Sequence, residues 1–85
     1  MTSLATAPLR VVLHVENADG APESLRRRLA ELGVRPGALV SVVQRTAGGG
    51  RIVDVAGSRI ALGRAVLEAV TVAAATAEPS GVAVS

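Results

Sequence analysis

From Leu9 to Glu16 the chain reads LRVVLHVE, and it alternates. Leu9, Val11, Leu13 and Val15 fall on one face; Arg10, Val12, His14 and Glu16 fall on the other. A period of two, rich in β-branched residues, predicts a half-buried strand. Asn17-Ala18-Asp19-Gly20 is a turn by composition. The period then changes. Leu25, Leu29 and Leu32 recur at i, i+4 and i+7, which places them along one helix face. A helix is predicted over Pro22–Leu32, with Pro22 in the first turn and Glu23 beside the positive helix end. Gly33 suits the left-handed position that closes a helix, and Val34 is then placed to pack back on Leu29. Pro36-Gly37 is the central pair of a type II turn.

Strand patterns follow. Leu39–Arg45 (LVSVVQR), Arg51–Ala56 (RIVDVA) and Arg59–Leu62 (RIAL) are strands. Ala47-Gly48-Gly49-Gly50 separates the first two, and Gly57-Ser58 suits a two-residue II′ hairpin between the second and third. Leu62, Val66 and Val70 give one or two helical turns over Gly63–Ala69, and Val70–Ala73 returns to a strand. An open three-stranded meander would leave unpaired edges, and the first and last strands remove most of them. The fold class is therefore mainly β with one to two short helices, arranged as a small five-stranded SH3-like barrel. Residues 1–8 are expected to be a disordered N-terminus, 9–73 the barrel, and 74–85 a disordered tail punctuated by Pro79 and Gly81.

Composition narrows this picture. The chain has 85 residues, enough for one small domain. A domain of this size buries only about 60–65% of its unfolded surface. Phe, Tyr, Trp and Cys are absent, so the core is wholly aliphatic and no disulfide or thiolate metal site can form. A Cys-free chain is at home in the cytoplasm. Residues 1–8 lack a basic segment followed by an apolar one, and no apolar run reaches the ~20 residues of a membrane span. Nine Arg stand against seven acids, giving +2. The isoelectric point lies in the arginine range only because nothing titrates between the lone His and the arginines. A field this weak, without aromatic stacking platforms, does not favour a specific nucleic-acid partner.

Candidate chemistry is sparse. One His and no Cys cannot build an activated nucleophile with its base, so no enzyme is expected. His14 and Glu16 share a strand face and are the best metal ligands the chain offers, with Asp19 following in the turn. Two ligands are half of a zinc shell, so Fe2+ or Zn2+ would be held only transiently unless a second chain completed the site. Arg26, Arg27, Arg28 and Arg64 read first as solvated helix faces, and otherwise as a docking surface for an acidic partner.

An ordered series of motifs runs from Ser24 to Val72. Leu25-x-x-x-Leu29-x-x-Leu32-Gly33-Val34-x-Pro36-Gly37 comes first. Val53-x-Val55-x-Gly57, Ile60-Ala61-Leu62 and Gly63-Arg64-x-x-Leu67-x-x-Val70-x-Val72 follow. The series resembles the FeoA family, ferrous iron transport protein A. Ala7-Pro8 stands where members often have a Gly, and Gly63 precedes Arg64 where many have an Arg directly after the A-L strand. The resemblance implies an SH3-like domain in a cytoplasmic accessory of bacterial ferrous iron uptake. Its implied partner is FeoB, a membrane transporter with a cytoplasmic GTP-binding domain. The resemblance also implies transition-metal binding, with no cofactor required, and leaves room for a homo-oligomer. Because the same domain ends metal-dependent repressors, the alternative is a free-standing metalloregulator-type domain that binds a metal or a regulatory protein.

Overall fold

The computed structural model describes residues 2–75. In chain order it contains β1 (Thr2–Ser3), β2 (Leu13–Asn17), α1 (Glu23–Glu31), β3 (Leu39–Arg45), a 3-10 turn (Ala47–Gly49), β4 (Arg51–Val55), β5 (Ser58–Leu62), α2 (Arg64–Ala69) and β6 (Thr71–Ala74). The strands form one sheet in the order β1-β6-β2-β3-β4-β5, every neighbouring pair antiparallel. There are six strands, not five, and the hydrogen-bonded ladder does not close, so the barrel is an open one. Its inner face holds Leu13, Val15, Val40, Val42, Val53, Val55, Leu62 and Val72 in a single aliphatic core. Leu29 of α1 and Leu67 of α2 enter that core from outside the sheet.

The N-terminus corrects the expectation of disorder over residues 1–8. Thr2 and Ser3 pair with Val72 and Thr71, and Leu4 and Ala7 are buried. The Leu4 amide donates to the Val70 carbonyl at 3.0 Å, and the Arg51 guanidinium donates to the Ala7 carbonyl. A core without aromatic rings has volume left to fill, and Leu4 fills part of it. A two-residue strand carries no readable period. Of the expected tail, Ala74 ends β6, and residues 76–85 lie outside the described residues.

Boundaries move for local reasons. The expected strand over Leu9–Glu16 begins only at Leu13. Arg10 has φ +63° and its amide donates to the Val42 carbonyl at 2.7 Å, while Leu9 bridges Val42 in parallel sense. The ladder between β3 and β4 is irregular between Val42 and Gln44, next to that bridge. The tight turn between β4 and β5 is centred on Ala56-Gly57, one residue earlier than expected. Both residues have positive φ, +53° and +86°, as a type I′ hairpin turn requires and a II′ turn does not. The Asp54 carboxylate accepts from the Gly57 amide at 3.1 Å.

α1 starts at Glu23, with extended Pro22 as its N-cap and the Pro22 carbonyl accepting from the Arg26 amide at 2.9 Å. Its end is a Schellman closure. The Val34 amide donates to the Leu29 carbonyl at 2.8 Å, and the Gly33 amide to the Ala30 carbonyl at 3.0 Å. Gly33 sits at φ +100°. The chain then turns through Pro36-Gly37, where the Ala38 amide donates to the Arg35 carbonyl at 2.9 Å. The Gly37 amide donates to Val15 and the Val15 amide to Ala38, which ties the turn to β2.

The apolar helix stripe is narrower than its spacing implies. Leu29 is buried and Leu25 packs at the core margin, but Leu32 is 44% exposed. Leu32 is the C-cap, and the closing turn swings Val34 into the place a longer helix would have given it.

Leu29→Ala is expected to cost about 2–5 kcal/mol through lost burial and a cavity. Domains of this kind have totals as low as about 5 kcal/mol. A urea midpoint close to wild type would show that Leu29 does not seal the core. A Cβ at Gly33 would lie 2.9 Å from Val55 Cγ1, in a backbone region that side chains rarely adopt. Gly33→Ala is therefore expected to cost about 1 kcal/mol or more, and Gly33→Val more still. Equal midpoints for Gly33→Val and wild type in urea unfolding would contradict this closure.

Candidate functional site

α1 has one side committed to the core by Leu29, so its other side is free to act. That side borders a cleft of about 320 Å³ between the helix, the turn after β2 and the segment that follows Gly33. Ala18, Ala30, Val34 and Pro36 give it an apolar floor. Arg26, Arg27 and Arg35 stand at its rim, with Asp19 and Glu23. Arg26 Nη1 lies 3.8 Å from Asp19 Oδ1, and Arg27 Nη2 lies 3.8 Å from Glu23 Oε2 one helical turn away. These are loose, solvent-screened pairs that a partner's carboxylates can replace at little cost. The cleft joins an apolar lining to a charged rim.

Arg26 and Arg27 both line this cleft, and Arg35 joins them. Arg64 does not. It lies on α2, with Nε donating to Glu68 Oε2 at 3.0 Å, and lines a different depression. Sequence reasoning missed the floor because Val34 and Pro36 already had a full explanation in the helix stop. Arg35, a charge between two turn-forming residues, is the one available signal.

His14 and Glu16 do come together on the outer face of β2, with Nε2 4.0 Å from Oε2 and both side chains partly exposed. Asp19 turns instead to Arg26. Among the described residues no group of three or more His, Asp or Glu could hold a metal ion. Ligands of one tetrahedral ion at ordinary Zn–N and Zn–O lengths stand about 3.3–3.4 Å apart. The pair needs only a small closure to reach that spacing, but it supplies half of the shell. Leu39, 59% exposed, lies directly across from His14 on β3.

Among the described residues no helix is long and apolar enough to cross a membrane.

The FeoA domain model matches residues 2–74. No curated protein matches the sequence significantly. Among solved structures, the FeoA protein from Chlorobium tepidum is 24% identical, with a TM-score of 0.81 over 93% of this chain and 75% of that one. The Stenotrophomonas maltophilia FeoA complexed with zinc is 32% identical, with a TM-score of 0.71 over 85% of this chain and 89% of that one. It is described as a prokaryotic SH3 domain protein and a candidate activating factor of ferrous iron transport. T. acidophilum IdeR, 15% identical, shares the fold with a TM-score of 0.73 over 86% of this chain and 33% of its own.

Zinc titration by calorimetry is expected to show weak binding that His14→Ala abolishes, since neutral imidazole is the strongest ligand present. Tight binding that survives His14→Ala would place the metal elsewhere.

Proposed function

This chain belongs to the FeoA domain family, and from that premise we propose that it is a non-enzymatic accessory of ferrous iron uptake. It acts by docking to the cytoplasmic domain of a FeoB-type transporter. The observation that carries the docking mode is the α1 cleft, where an apolar floor is rimmed by Arg26, Arg27 and Arg35. The description of the Stenotrophomonas maltophilia protein as a candidate ferrous iron transport activating factor supports the same role. The work falls to contact rather than chemistry: the cleft holds arginines, carboxylates and small apolar side chains, with no nucleophile paired to a base.

Recognition divides between two terms. Burial of the Ala18, Ala30 and Pro36 surfaces by a partner side chain gives residence, Val34 being buried already. The rim charges steer encounter with an acidic patch and act mainly on the association rate. That steering fades beyond about 8 Å at physiological salt. His14 and Glu16 add a weak transition-metal contact on β2, outside the lining of the cleft.

Replacing Arg26 and Arg27 by Glu should leave the fold intact, because solvent-facing changes usually shift stability by within about 0.5 kcal/mol. It should slow association with the FeoB cytoplasmic domain at low salt by about tenfold and lower ferrous iron uptake in cells. Unchanged association kinetics in a folded variant would move the interface off α1. No binding by the wild-type chain would count against the transporter partner and favour the metalloregulator-type alternative.

A further inference from the structure

A second depression, of about 210 Å³, lies at the far end of the β3–β4 hairpin and shares no lining residue with the α1 cleft. Arg45, Arg51 and Arg64 line it, with the hydroxyl residues Thr6 and Thr46, and Glu68 is the one carboxylate there. We infer that this depression is an oxyanion site that takes a phosphate group.

Arg45 and Arg51 are directly opposite each other in the antiparallel register of β3 and β4. Like charges in that position repel and destabilise the pair. Among the described residues neither has a carboxylate within ion-pair distance. A tetrahedral oxyanion between them replaces the repulsion with charge-assisted hydrogen bonds, for which the planar guanidinium fork is suited.

Arg64 reaches the same place from another element. A Cβ on Gly49 would sit 2.9 Å from Arg64 Cδ, so the bare glycine lets the arginine stem lie against the turn. Glu68 takes only the Nε–H of Arg64. The guanidinium carries five N–H donors in all, so among the described residues its terminal amino groups stay uncommitted. Arg51 is held in place by its bond to the Ala7 carbonyl, and it is part-buried. The site thus joins one anchored and two adaptable guanidinium groups, and three cations face one anion. Its volume is enough for a phosphate or diphosphate group.

The test is a pyrophosphate titration of the isotope-labelled full chain at fixed ionic strength, followed through the amide resonances of Thr46, Gly49 and Gly50. Saturable shifts are expected at those three amides. Arg45→Gln and Arg64→Gln, both exposed positions, should each weaken binding about tenfold. Arg59→Gln, which removes one charge from the Asp54 pair on β5, should leave it unchanged. Non-saturable shifts would overturn the site, as would binding indifferent to both Arg45→Gln and Arg64→Gln. Equal weakening by Arg59→Gln would also overturn it, by showing attraction to net charge alone. A nucleoside diphosphate serves as the second probe. Affinity equal to pyrophosphate means that the phosphate group alone is read; tighter binding means a phosphate carried by a larger molecule, and either supports the site.

Discussion

The absence of every aromatic side chain is the constraint on which the rest depends. A core of leucines, valines and alanines gains its stability from many small contacts, each of which must be close. The sheet alone does not supply them. Leu4 and Ala7 enter from the N-terminal segment, Leu67 from α2 and Leu29 from α1, and together with the strand residues they make one continuous cluster. Both α-helices therefore contribute a buried side chain, as does the segment ahead of β2 that carries only a two-residue strand.

The helix stop links this core to the outer surface. Leu29 and Val34 are joined by a backbone hydrogen bond, and both are buried. Val34 also forms part of the cleft floor beside Ala30 and Pro36. The closure at Gly33 thus sets the depth of the core plug and the shape of the cleft at once. The type II turn at Pro36-Gly37 then fastens the same segment to Val15 of β2, whose carbonyl accepts from the Gly37 amide and whose amide donates to the Ala38 carbonyl. The proposed docking surface, built on such a segment, is held by the core rather than by a free loop.

Much of this was legible along the chain. The run from Leu29 to Gly37 states its own geometry, because a left-handed glycine and a proline leave the backbone few choices. Strands β3 to β6 followed from their runs of β-branched residues, and the core of β2 from its alternation. Elements whose geometry is set at a distance were not legible. Thr2–Ser3 is a strand only because β6 lies beside it, and Arg10 takes positive φ where its amide reaches Val42. The site was legible as types more than as places. Arg26 and Arg27 were readable as a charged helix face, but their apolar floor was not, since Ala18 and Ala30 carry no chemistry of their own. Arg64 looked like a further member of that surface, and the fold instead sets it beside Arg45 and Arg51, 19 and 13 residues earlier in the sequence.

In the proposed docking mode α1 turns one side to the core and the other to a partner. Mapping amide shifts of the labelled chain on addition of a FeoB cytoplasmic domain tests it most directly. Perturbations are expected to concentrate at Ala18, Arg26, Arg27, Ala30 and Arg35, with β5 unaffected. Perturbations centred on β5 or on the Ala47–Gly49 turn, with α1 silent, would contradict it.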